Sequence, residues 1–221
     1  MFDRLARWLA WRRPNTSDRI ASSPIQTPAV PRCESCSQPR TTHITRFRSH
    51  ALTSEKHLCD ACATSYLGAT LSYLGATTAA SNDCPPRESN REAEIEVDTV
   101  IISDVHEEQI VVLREMGGSR TFPIVIGIFE AVAIDRTLRG LTCPRPLTFE
   151  AWQSTLEATG TRVRAAVIKD REGSTYFADL RLTGGNGIVA VDMRPSDAVH
   201  LAIKARAPIL IPEWLLFEVS S

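Results

Sequence analysis

"LREMGGSRTFPIVIGIFEAVAI" (Leu113–Ile134) and "LRLTGGNGIVAVDMRPSDAVHL" (Leu180–Leu201) lie over one another without a gap when the chain is slid by 67 residues. Leu-Arg falls on Leu-Arg, Gly117-Gly118 on Gly184-Gly185, and Glu130-Ala-Val on Asp197-Ala-Val; upstream, Val100-Ile101 meets Val167-Ile168. Each copy reads as strand, strand, Gly-Gly turn, strand, helix, because β-branched runs give way to apolar residues at helical spacing. The first copy predicts strands at about 97–103, 109–115 and 120–126 and a helix from Ile128 to Arg139, closed by Gly140. The second predicts strands at about 162–168, 175–182 and 187–192 and a helix opened by Pro195, where the missing N–H costs nothing. Between them "LTFEAWQSTLEATG" offers Thr148 as N-cap and Gly160 as terminator of a linking helix. "APILIPEWLLFEV" adds a short strand and a helical turn. The expected architecture is a duplicated α+β unit with an antiparallel sheet. Neither Gly-Gly pair opens a helix, so both are hairpin turns and not phosphate loops.

Working towards the N-terminus, the polar stretch 77–93 reads as a linker. Ahead of it Cys33, Cys36, Cys59 and Cys62 form two C-x-x-C pairs with 22 residues between them. Two such turns complete a tetrahedral sulfur shell for zinc, a closed structural site with no open position. A segment this short has little core of its own, so metal binding would supply much of its folding free energy. His43 and His57 read as neighbours of the site or surface residues, and Cys84 and Cys143 as free thiols. Residues 32–76 are thus expected to be a zinc-binding module and 94–221 the main domain.

Residues 1–31 read as a basic N-terminal segment followed by Ser/Pro/Thr-rich linker. Phe2, Leu5, Trp8 and Leu9 share a helical face ringed by arginines, so residues 2–13 predict either a frayed tail or a weak membrane-surface contact. No apolar run reaches the roughly 18 residues of a membrane span. Without a signal-peptide pattern the expected location is cytoplasmic. The net charge of −1 provides no global basic field, so any nucleic-acid contact must come from a local patch.

The repeat puts an acid in the first turn of each helix, Glu130 and Asp197, with Asp192, Arg194 and Arg145 close by in sequence. Carboxylates at strand and helix ends beside arginines can hold Mg²⁺ or Mn²⁺ and stabilise charge on a phosphoryl oxygen. Each acid alone also fits a structural role, favouring its helix dipole or pairing with an arginine. Ser196 has no histidine at a spacing suited to nucleophilic catalysis.

"LREMGGSRTFPIVIGIFEAVAI", "RPLTFE" and "VDMRPSDAVHLAIKARAPILI" together resemble the bifunctional nuclease domain family over roughly 94–217. The resemblance implies a duplicated α+β fold, association between subunits into a homo-oligomer, and nuclease activity on DNA and RNA. It carries Glu130, Arg145, Asp192, Arg194, Ser196 and Asp197 as matching positions, and departs at Phe149, where the family pattern has His. "CESCSQPRTTHIT" and "EKHLCDACA" resemble the N-terminal zinc module of the activator of bacterial protein-arginine kinase, which implies an adaptor that contacts a protein partner. Two functions follow: a metal-assisted phosphodiesterase, or a non-catalytic regulatory adaptor whose main domain binds a ligand or oligomerises.

Overall fold

The computed structural model describes residues 31–68, 86–87, 91–185 and 187–220. The basic helix predicted at 2–13 and most of the 77–93 linker lie outside them. In chain order the elements are β1 (Thr42–Arg48), β2 (Ala51–Leu58), α1 (Asp60–Leu67), β3 (Glu92–Ser103), β4 (Gln109–Glu115) and β5 (Thr121–Ile126). They continue with α2 (Ile128–Leu138), α3 (Thr148–Ala158), β6 (Arg162–Glu172), β7 (Thr175–Gly184), β8 (Gly187–Met193), α4 (Pro195–Ala205), β9 (Ile209–Pro212) and α5 (Glu213–Val219). The order of three strands and a helix occurs twice, and Ile128 and Pro195, which open the two helices, keep the 67-residue offset.

All nine strands of the described residues join one mixed sheet, mostly antiparallel. β3 is the branching strand. One of its edges pairs with β4, which pairs with β5. Its other edge is shared: Thr99–Ser103 pair with β1, and Glu92–Ile95 pair with β9. β9 then runs parallel to β6, and β7 and β8 follow antiparallel. β3 spans 12 residues because it serves two partners in series on one edge, which is why it begins five residues before the expected Val97.

Burial accounts for the layering. α2 buries Ala131, Ile134 and Leu138, and α4 buries Ala198, Val199, Leu201 and Ala202, against Val111, Leu113, Phe122, Ile168, Leu180 and Ile211 of the sheet. A side chain of this kind contributes about 1.5–3 kcal/mol by leaving water. The opposite face of β3 and β4 is covered too. Ile101, Ile110 and Val112 pack with Cys33, Ile44, Leu58, Ala63 and Leu67. The four-cysteine segment therefore has a core after all, because it borrows one from the sheet that β1 extends.

The β1–β2 turn is a tight two-residue loop in which Ser49 and His50 both take positive φ (48° and 61°), matching the strand twist. The Ser49 N–H donates to the Glu96 carboxylate (2.9 Å), itself paired with buried Arg114, so the turn is tied to β3. α1 ends at Gly68, at φ 40°. The linking helix starts at Thr148, one residue earlier than a Thr148 cap would place it. Leu147 is the N-cap, and its N–H donates to the Glu150 carboxylate (3.1 Å).

Candidate functional site

Pro195 starts α4 with Arg194 at its N-cap, and Gly127 sets the start of α2. The two helix N-termini meet at the face of α3. Arg194 donates from Nε and NH2 to both oxygens of Asp197 (2.8 and 3.0 Å), and its NH1 lies 2.7 Å from Glu130 Oε1. The guanidinium is 66% exposed, whereas Glu130 and Asp197 are 15% and 20% exposed. The hydrogen bonds that Arg194 donates to Asp197, and secondarily to Glu130, raise the Arg194 pKa, so the group stays charged. These three charges line a cleft of about 390 Å³, with Phe129, Thr148, Phe149, Trp152 and Met193 forming the rest of its wall. That volume suits a nucleotide-sized ligand. α3 is held in place by the Lys204–Glu150 ion pair (2.9 Å), which lowers the Glu150 pKa.

The five charged residues singled out in the sequence thus divide. Glu130, Arg194 and Asp197 come together. Arg145 is exposed on the segment leading into α3 and is not among the cleft residues. Asp192 stands apart: Lys169 bridges it (2.7 Å) to Asp179 (2.6 Å), its partner across the β7–β8 ladder. The cause is the pleat. Met193 packs on the helix side of the sheet, so its neighbour Asp192 faces the other way. Lys169, its pKa raised first by Asp179 and then by Asp192, is what lets two carboxylates sit opposite one another. Phe149 apart, the aromatic wall was not singled out from the sequence. Its signal is Phe129, a large apolar residue that the helix pattern leaves outside the core and that is 85% exposed at the cleft.

Phe149, the departure from the family pattern, packs against His200 with ring centroids 4.1 Å apart and the planes tilted by 53°. His200 is buried, exchanges a 2.8 Å hydrogen bond with Thr137 through Nε2, and has its pKa lowered to about 4, chiefly by burial. It is a packing residue, as its place on the apolar face of α4 implies.

A divalent ion at the cleft would have Glu130 and Asp197 as its protein ligands. Two carboxylates are what Mg²⁺ commonly takes from a protein, with water and phosphate completing the shell. Both acids already bind Arg194, which would have to turn outward.

The four cysteine sulfurs lie within 4.8 Å of one another, Cys36 and Cys59 at 3.5 Å, and can hold a zinc ion. Tetrahedral zinc with bonds of about 2.3 Å needs sulfurs about 3.8 Å apart. All four are free thiols. Cys33 and Cys36 come from a knuckle whose N–H of Ser35 points at Cys33 Sγ (3.4 Å); Cys59 caps α1 and Cys62 lies in its first turn. Burial opposes ionisation of Cys33, but backbone N–H donors outweigh it and lower its pKa to about 6. Cys62 is raised to about 12, first by its contact with Cys36. Crowded sulfurs share charge unevenly in this way until a cation joins them.

A mixed α+β fold with a charged, aromatic-walled cleft at paired helix N-termini defines the class. The chain belongs to the bifunctional nuclease domain family, which matches residues 111–221. An uncharacterized protein of Mycobacterium tuberculosis is 32% identical over 125 residues, covering 57% of this chain and 74% of that protein. Bifunctional nuclease 2 and bifunctional nuclease 1 of Arabidopsis thaliana are 26% and 28% identical over 112 residues, 49% of this chain and 34% of each plant protein.

Proposed function

We propose that the chain is a phosphodiesterase acting on DNA or RNA, with the cleft between α2, α3 and α4 as its active site. The observation that carries this reading is Arg194, an exposed guanidinium held between two half-buried carboxylates in a chain of this family. Arg194 contacts the scissile phosphate and stabilises the charge that builds on its oxygens. Glu130 and Asp197 orient the attacking water and are the residues that would hold Mg²⁺ or Mn²⁺, whose chemistry is to polarise the phosphoryl oxygen. Phe129 and Trp152 offer ring faces to bases, which explains how a chain of near-neutral charge retains a nucleic acid. Arg145, exposed on the segment leading into α3, is left as a contact to the nucleic-acid backbone outside the cleft. Asp192 leaves the catalytic set, because Lys169 occupies it on the far face of the sheet.

In the same reading Cys33, Cys36, Cys59 and Cys62 bind one structural zinc, the protein works in the cytoplasm as a homo-oligomer, and the two strand-strand-strand-helix units descend from one duplicated unit. The test of activity is incubation of single- and double-stranded DNA and RNA with purified protein, with and without Mg²⁺ or Mn²⁺. Cleavage that disappears in Asp197→Asn and Glu130→Gln supports it; cleavage indifferent to both sinks it.

One observation favours the adaptor reading. A larger cavity of about 660 Å³ lies between the ends of α2 and α4, with Glu94, Arg206 and His50 among apolar residues. Protein that cleaves nothing yet is stabilised by a small molecule blocked by Arg206→Ala would establish a ligand-binding regulator, with the zinc module free to contact a protein.

A further inference from the structure

We propose a second metal site, built by His43, Glu55 and His57 and open to solvent, that takes a divalent transition-metal ion such as zinc. It is separate from the four cysteines. In the β1–β2 ladder His43 faces His57 and Thr45 faces Glu55, so these four share one face of the hairpin. Ile44 and Leu58, on the other face, pack with the cysteines. The two sites therefore sit back to back across two strands.

One ligand atom from each of His43, Glu55 and His57 lies within 4.8 Å of the other two. His43 Nδ1 is 3.2 Å from His57 Nδ1 and 3.8 Å from Glu55 Oε1, while Glu55 Oε1 is 3.2 Å from the other His57 nitrogen, Nε2, so the His57 ring gives one of its two nitrogens to an ion. Ligand atoms on a tetrahedral zinc with bonds of about 2.0–2.1 Å stand about 3.3 Å apart. Two ring nitrogens at 3.2 Å need a shared proton or a shared ion to hold them.

The supporting contacts already exist. Thr45, fully buried, holds His43 Nε2 through its hydroxyl (2.8 Å), which fixes the ring and leaves Nδ1 to face the site. Arg139 holds the second oxygen of Glu55 (3.3 Å) and is itself steadied by Asp135 (3.5 Å). Both come from the end of α2. With Glu55 and Asp135 against Arg139, the surroundings carry one net negative charge, favourable to a dication. The side chains of His43, Glu55 and His57 are 21%, 30% and 28% exposed, so a water can complete the shell. Two nitrogens and a carboxylate with an open position are a donor set that exchanges ligands, unlike four thiolates.

Cobalt titration of tag-free, metal-free wild-type protein is the test. Thiolate-to-cobalt charge transfer should saturate at one equivalent, while d–d absorption continues to rise to two. Zinc content should fall from two per chain to one in His43→Ala and in His57→Ala, with the charge-transfer band unchanged. Thr45→Val, which keeps shape and removes the hydroxyl, should weaken the second equivalent by about 10- to 100-fold. The proposal is overturned if d–d absorption and charge transfer saturate together in the wild type, or if the histidine variants bind as much metal as the wild type. Loss of the cysteine-bound equivalent alone would leave this second site standing.

Discussion

Arg194 is the residue on which the proposed chemistry turns. Arg194→Ala should lower cleavage by about 100-fold or more, the effect of removing a donor to developing charge. Asp192→Asn should keep most of the wild-type rate, and a comparison of kcat/KM for the two variants separates them. His200 gives the fold a pH dependence. Its pKa, about 4 in the folded chain against about 6.5 unfolded, means the unfolded state binds the proton more readily. The stability it contributes is present above pH 6.5 and is lost as pH falls towards 4, on the order of 3 kcal/mol in total. Urea midpoints measured from pH 7 to pH 4 should fall less in His200→Phe than in the wild type; parallel curves would assign the loss elsewhere. At this scale the sequence revealed the acid of each helix start, because the repeat marks equivalent positions, and Arg194 by its place beside those acids, since its own counterpart in the first copy is Gly127. It did not reveal Asp192's orientation. An acid at a strand end looks the same on either face until the core side of Met193 is known.

Among the elements, β4 shows what a sequence can say about layers. "QIVVLRE" lacks strict alternation, and all its residues but Glu115 are buried, because α2 covers one face and the four-cysteine segment the other. Such a continuous apolar run is the mark of a strand covered twice. The expected module boundary concealed that, since the cysteine spacing alone suggested a self-contained staple. Zinc removal should therefore reach beyond the cysteines. Chelation, or Cys59→Ser, should raise hydrogen exchange in β1, α1 and the Ile101 and Ile110 amides, while β6 and β7 stay protected. Exchange confined to 31–68 would show that the sheet holds without its cover. Element types were legible from periodicity throughout the main domain; lengths were not, because β3 is extended by its partners and not by its own residues.

At the scale of the whole molecule, β8 is the exposed margin. It ends the sheet, and Ile188, Val189 and Val191 are exposed on both its faces. An apolar edge strand in this state is a site of association. Light scattering should find wild-type protein in assemblies and Val189→Lys protein as monomers; a monomeric wild type would refute the homo-oligomer. Superposing 97–139 on 164–206 should align Glu130 with Asp197 if the two units share an origin. The sheet's branching was not legible, since no local pattern says that one strand edge is divided between two partners. That branching has a consequence for biosynthesis. β9, the last strand in the sequence, is the only link between β3 and β6 among the described strands. During translation the sheet therefore waits as two half-sheets, each with a bare edge, until Ile209–Pro212 emerge. A polypeptide interrupted before Ile209 presents those edges permanently, and chaperones and proteases meet it as an unfinished chain.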